Sequence, residues 1–208
     1  MVVVLPKYKI AYFPMRRVAS TTVKNALRGL AETDGEYKAT HGNPMSSRER
    51  RLAQGNHIFT IVCDPISRVL SCYGDRVIYH QDLTSSAFSR VSLKLSGLNP
   101  KPDIDEFCQN IRAYRFLNDK IRRHTRPQIV SLGDDLGFFD KIYRIFELAE
   151  LAHDLTERTG KPIVFEHLQT GGPKFNFSDL SKTSRQALLN FTAEDYWLLK
   201  GFFTPPEA

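Results

Sequence analysis

The sequence predicts a layered α/β domain, a central parallel sheet flanked by helices. Strand-like runs alternate with helix-like runs from the N-terminus onward, which is the pattern of βαβ units. The run His57–Cys63, "HIFTIVC", is apolar at nearly every position, as suits a parallel strand covered on both faces. The chain has 208 residues, enough for a full core. It shows no internal repeat and no linker that would split it, so residues 1–208 read as a single domain.

The elements follow in order. "KYKIAYF" (Lys7–Phe13) is rich in β-branched and aromatic residues and reads as a buried strand stopped by Pro14. "STTVKNALRGL" reads as a helix, because Val23, Ala26, Leu27 and Leu30 fall at i, i+3, i+4 and i+7, with Ser20 or Thr21 as its N-cap. A short strand is expected around Tyr37–Thr40, then an exposed helical turn in "SSRERRLAQG" that ends at Gly55. After the strand at His57–Cys63, Ile66, Val69, Leu70, Tyr73 and Val77 keep a helical stripe. Residues 82–102 read as an irregular excursion with a short helix, and Asp103 as the cap of a helix in "DIDEFCQNIRAY". "NDKIRRHTRPQIVSLGDDLGFF" is polar and Gly-broken and reads as loop. Phe139–Phe146 reads as a strand and "ELAELAHDLTERTG" as a helix closed by Gly160. "KPIVFEHLQTGGPKF" is expected to hold a short strand and a Gly-Gly-Pro loop. The C-terminal stretch reads as a helix broken near Thr192, with a second short helix after it.

A net charge of +6 suits an anionic ligand. Lys and Arg occur throughout the chain rather than in one tail, so a nucleic-acid role is not indicated. Cys63, Cys72 and Cys108 are an odd three with no CxxC pair, which argues against a disulfide framework and a zinc site. HExxH and a P-loop lysine with clustered acids are absent, so no metal is implied. The apolar start, "MVVVL", is too short for a signal peptide or a membrane span, and a reducing, cytoplasmic setting is expected. Oligomeric state is not readable.

Between the first strand and the first helix stands "PMRRVASTT" (residues 14–22). A helix N-terminus offers unpaired N–H groups and partial positive charge. Ala19 keeps backbone close to a ligand, Ser20, Thr21 and Thr22 add hydroxyl donors, and Arg16 and Arg17 add charge. A phosphate ester fits such a loop, although ordinary capping explains the same Ser and Thr. It is not a Walker A motif, since GxxxxGK[ST] is absent. In open α/β sheets ligands bind beyond the C-terminal strand ends, where residues 14–22 and 63–71 both lie.

The second unit, "CDPISRVLSCYGDRV", carries a resemblance. The pattern R-D-P-x-x-R-x-x-S-x-Y after a buried strand is similar to the 3′-phosphate motif of sulfotransferases that use 3′-phosphoadenosine 5′-phosphosulfate (PAPS). "RRVASTTVKNAL" resembles their 5′-phosphosulfate loop, in the carbohydrate (family 2) branch. "HTRPQ" (His124–Gln128), "FDKIYRIFELAEL" and "TAEDYWLLKGF" resemble later segments, so the likeness covers most of the chain. It implies a P-loop-like three-layer domain with PAPS as donor and no metal. The acceptor implied is a hydroxyl-bearing small molecule or glycan, such as a carbohydrate or glycolipid.

The resemblance implies Arg16, Arg17, Val18, Ala19, Ser20, Thr21, Thr22, Arg68 and Ser71 as donor-binding residues. It makes Arg17 the cation at the leaving oxygen and His41, in "KATHGNP", the base, with Lys38 nearby; His124 is the second choice of base, and His124 and Arg126 become acceptor-side candidates. Lys174 is placed near the 3′-phosphate by position alone, and Glu147 is a base or a cap. Two residues depart from the family. Arg17 replaces a lysine, keeping charge but not proton-donating ability. Cys63 replaces the first Arg of R-D-P, losing a charge-assisted contact of about 1.5–3 kcal/mol. Two rivals stay open: a non-catalytic nucleotide-binding descendant, which Cys63 favours, and a nucleotide-dependent phosphotransferase, which would want Mg²⁺ and a Walker lysine.

Overall fold

The computed structural model describes residues 1–40, 46–165 and 171–207. The strands are β1 (Val3–Leu5), β2 (Ile10–Phe13), β3 (Lys38–Ala39), β4 (His57–Val62) and β5 (Lys141–Arg144). The helices are α1 (Ser20–Asp34), α2 (Ser47–Ala53), α3 (Pro65–Cys72), α4 (Ala87–Leu95), α5 (Ile104–Gln109), α6 (Ile111–Leu117), α7 (Asp119–His124), α8 (Ile129–Leu132), α9 (Leu148–Thr159) and α10 (Lys182–Leu198). Two compact units are formed, Met1–Cys63 with Gln128–Leu168, and Asp64–Pro127 with Gln169–Ala208.

The first unit is built on a sheet of order β3-β1-β2-β4-β5. β2, β4 and β5 run parallel, with Phe13 opposite Thr60 and Val62 opposite Arg144. β1 runs antiparallel to both β2 and β3, so the sheet is mixed rather than wholly parallel. The difference starts at Pro6–Tyr8. These residues form a 3₁₀ turn instead of the start of a strand, and Lys9 closes it in the left-handed region (φ 50°). The apolar N-terminal run then folds back, pairing Val3 with Tyr12. β4 is central, as its continuous apolarity predicts, and Phe59 packs between Tyr12 (ring centroids 4.9 Å) and Tyr143 (5.9 Å). Thr60, fully buried, donates its hydroxyl to the Phe13 carbonyl at 2.8 Å. α1 buries Val23, Leu27 and Leu30, most of its predicted stripe. α9 buries Leu151 and Leu155 and ends at Gly160, whose φ of 67° is the left-handed C-cap expected of it.

The second unit is helical. Ile66, Val69, Leu70 and Tyr73 meet Phe107, Ile111, Tyr114, Leu188 and Tyr196 in one core. α3 passes directly into a π-helical turn, Tyr73–Tyr79. The Gly-Gly-Pro loop lies against it. A Cβ on Gly74 would stand 2.1 Å from the Pro173 carbonyl oxygen, and one on Gly172 would stand 2.0 Å from that of Gly74. Only glycine fits on either side of that approach.

Three other expectations change. The polar stretch read as loop contains α7 and α8; Asn118 nucleates α7 by accepting from the Lys120 and Ile121 N–H groups. α10 runs unbroken through Thr192, whose hydroxyl bonds the Leu188 carbonyl one turn back (2.7 Å) and lets a buried threonine sit inside a helix. No strand forms over residues 161–165.

Candidate functional site

The loop between β2 and α1 is pinned by two buried side chains, Met15 and Val18. Between and after them the backbone turns left-handed twice at non-glycine residues, Arg17 (φ 67°) and Ala19 (φ 48°). Each such residue costs about 1–3 kcal/mol, and surrounding structure must hold it there. Ala19 occupies the N-cap position with no side-chain cap, which corrects the expectation of Ser20 or Thr21. The first backbone bond of α1 runs from the Val23 N–H to the Ala19 carbonyl (3.1 Å). The N–H groups of Ser20, Thr21 and Thr22 therefore have no intrahelical acceptor. Their hydroxyls make no hydrogen bond among the described residues. A cap would have spent a side-chain oxygen on the helix; here the oxygens stay available to a ligand.

Cationic charge gathers at the same place. Lys24 stands one turn into α1, and a helical side chain leans back over the turn before it. Burial, then Arg16, then Arg28, hold its ammonium below the ordinary lysine range. An anion at the loop would relieve that repulsion.

β2 and β4 are parallel neighbours, so the loop after β2 and Cys63 after β4 leave the sheet at one edge. Cys63 is buried, and its backbone is held at both ends by one side chain. Its N–H donates to Gln128 Oε1 (3.3 Å), and Gln128 Nε2 donates to its carbonyl (2.9 Å). Sequence reasoning missed Gln128. It is the last residue of "HTRPQ", where attention went to the charged members.

In the second unit, α3 starts with Asp64 accepting from the Ser67 N–H (2.7 Å) through one oxygen and from the Tyr196 hydroxyl (2.6 Å) through the other. Arg68, expected at the donor, is buried in α3. It is 4% exposed, its Nη groups donate to the carbonyls of His124 (3.4 Å) and Arg126 (2.5 Å), and Asp195 stands 3.7 Å away. Its Nη groups are spent inside the unit, while its buried Nε has no acceptor among the described residues. Ser71, one turn later, is exposed on α3. His124 and Arg126 come together through their carbonyls on Arg68, while the Arg126 side chain is exposed.

His41 lies outside the described residues. Its flanks are described: Thr40 (2.7 Å) and Ser46 both donate their hydroxyls to Glu49, which is 1% exposed. Lys38 is paired with Glu36 at 2.8 Å. Glu147 accepts from the Arg144 N–H and Nε, both at 2.6 Å. Those bonds, the side-chain one first, hold its carboxyl below the ordinary range, a capping arrangement rather than that of a base. His57 sits at the start of β4 beside Asp140 (3.7 Å), and burial first, then Arg158, lower its pKa. Lys174 is exposed in the Gly-Gly-Pro loop. Among the described residues no three His, Cys, Asp or Glu side chains are grouped to hold a metal ion, and no helix is long and apolar enough to cross a membrane.

Comparison with known families matches one, described as the sulfotransferase family, over residues 1–200. Comparisons with curated proteins and with solved structures gave no match.

Proposed function

The chain belongs to the sulfotransferase family, family 2 branch, and we propose on that premise that it moves a sulfuryl group from PAPS to a hydroxyl of a carbohydrate or glycolipid. Residues 1–208 then act as one sulfotransferase-like domain, since the family match takes in segments of both units. The observation that carries the reading is the left-handed turn at Ala19, which leaves the hydroxyls and N–H groups of Ser20, Thr21 and Thr22 without partners in the helix.

In this reading the three N–H groups and three hydroxyls cradle the 5′-phosphosulfate, with Arg16 and Lys24 supplying field. Bound there, PAPS supplies the S–O bond whose cleavage passes sulfuryl to the acceptor oxygen and releases adenosine 3′,5′-bisphosphate. Arg17 steadies charge growing on the phosphate oxygen without giving up a proton. His41 takes the acceptor's hydroxyl proton. The Ser71 hydroxyl serves the 3′-phosphate. Arg68 leaves that set, and with Cys63 in place of the family's Arg the 3′ end is gripped less than the 5′ end. The reading places the enzyme in the cytoplasm, acting on a precursor there; Cys63, Cys72 and Cys108 are buried thiols, Cys108 pushed up to about 12 by burial.

The test is labelled sulfuryl transfer from PAPS to a panel of saccharides, alongside melting with adenosine 3′,5′-bisphosphate. Transfer without added metal and a raised melting temperature are expected. A shift without transfer points to a non-catalytic descendant. Magnesium-dependent phosphoryl transfer from ATP instead points to the phosphotransferase.

A further inference from the structure

Strand alternation sends Val2 and Val4 to one face of the sheet edge, and Lys38 stands opposite Val4 on β3. The end of α2 and the turn after it, with Leu52 and Asn56, lie beside this face. Together with Pro6 and Lys9, from the turn before β2, they shape a cleft of about 310 Å³ lined wholly by the first unit. None of the residues assigned above to the donor lines it.

The walls are set by backbone bonds. Lys9 sits in the left-handed region (φ 50°), its N–H donating to the Pro6 carbonyl (3.1 Å) and its carbonyl accepting from the His57 N–H (2.7 Å). Asn56 ties the turn after α2 through Nδ2, which donates to the carbonyls of Ala53 (3.1 Å) and Gln54 (3.3 Å). Walls fixed in this way lose little freedom when a ligand enters. The floor is apolar: Val2 and Val4 are buried, and Pro6 and Leu52 are left exposed beside them.

Positive charge surrounds that floor. Lys9 lines the cleft, is exposed, and has no ion pair among the described residues. Lys38 lines it too and is shared with Glu36 (2.8 Å). Arg48 stands one turn before Leu52, on the same side of α2, and has no ion pair among the described residues either. The one acid of α2, Glu49, is 1% exposed and accepts from the Thr40 (2.7 Å) and Ser46 hydroxyls, so its charge is spent inside the unit.

We propose that this cleft binds an apolar carboxylate. A void of about 150 Å³ takes one benzene ring, so the body that fits here is about two rings or a medium-length chain. The anionic end meets Lys9, with Lys38 and Arg48 adding field. A bare inorganic anion would leave the apolar floor uncovered, and a neutral hydrocarbon would leave Lys9 unanswered. Lys9 is the one lining cation without a carboxylate partner among the described residues, which fits a single charge on the ligand.

The experiment titrates 2-naphthoate and octanoate into the full chain by calorimetry, with neutral 2-naphthalenemethanol and inorganic phosphate as controls. At least one carboxylate is expected to bind about tenfold or more tighter than either control, and less tightly as salt is raised. Leu52→Trp, which fills the cleft from a half-exposed position, is expected to abolish that binding. Lys9→Asn, a residue at ease in the left-handed region, is expected to weaken it about tenfold. Lys200→Gln, the same charge removed from an exposed position in the other unit, leaves it in place. No binding of either carboxylate at millimolar concentration, equal affinity for the alcohol or for phosphate, or full binding by Leu52→Trp each overturn the proposal. If Leu52→Trp melts too low to assay, Lys9→Asn is read instead, and no loss there overturns it too. Melting with adenosine 3′,5′-bisphosphate runs in parallel on the intact protein. Carboxylate binding that Leu52→Trp abolishes upholds the cleft even where the bisphosphate gives no shift, a failure that counts against the donor reading alone.

Discussion

The loop of residues 14–22 and the turn opening α3 both follow a parallel strand and both carry arginine and hydroxyl side chains, yet they treat those groups in opposite ways. In the loop, backbone strain at Arg17 and Ala19 holds the helix end open, and Ser20, Thr21 and Thr22 stay unspent. At α3, Asp64 is bonded through both oxygens and Arg68 is buried against two carbonyls and Asp195. The difference teaches that a polar motif does its work either by facing a ligand or by holding the turn that faces one. Only the partners of each atom tell which.

The sharpest way to break that contrast is Arg68→Met. Asp195 would lose the buried guanidinium 3.7 Å away, and about 3–5 kcal/mol of stability should go, read by urea unfolding. Nucleotide affinity per folded molecule should persist. A stable variant that has lost nucleotide would make Arg68 a ligand after all.

Tyr196→Phe removes one bond to the Asp64 carboxylate and should cost about 1.5–3 kcal/mol, again in urea. No change would mean that the turn is held without it.

A pH series sharpens the contrast further. Hydrogen bonds from Ser184 and then from the Ser181 backbone hold the Asp105 carboxyl below the ordinary aspartate range. A depressed folded pKa stabilises above the unfolded value, and that contribution is lost as pH falls through the folded one. Asp105→Asn should therefore flatten the acid side of the stability profile. Residues 14–22 contain no acid, so substitutions there should leave that slope alone.

The smallest effect is expected at Tyr12→Phe, which removes a buried hydroxyl with no partner among the described residues. Melting should move within what about 0.5 kcal/mol produces. A loss several times larger would reveal a partner for the phenol.

Where burial sets the pattern, the fold was legible. β4 announced itself by unbroken apolarity, and α1 and α9 by their stripes and, for α9, by Gly160. Polar segments were read less well. α7 carries a single apolar residue, Ile121, α8, a single turn, is too short to show a stripe, and Thr192 resembles a breaker until its hydroxyl is seen bonded along the helix. The same limit applies to the site. The loop at residues 14–22 was identified by its residue types, but its cap was misplaced, because which residue turns left-handed depends on the anchoring of Met15 and Val18. Arg68 looks alike in sequence whether it meets a phosphate or a carbonyl, and Asp195, far along the chain, is what decides. Gln128 gave no signal, since a neutral amide gripping a backbone is invisible without coordinates.

The central claim is that the opened end of α1 grips the phosphosulfate end of the nucleotide. Calorimetric titration of adenosine 3′,5′-bisphosphate into the intact protein and into Ser20→Ala/Thr21→Ala/Thr22→Val tests it most directly. The account predicts binding to the first, and a loss of about a hundredfold in the second with little change in melting temperature. Equal affinity in the two proteins, or no binding by the intact chain at millimolar ligand, would contradict it.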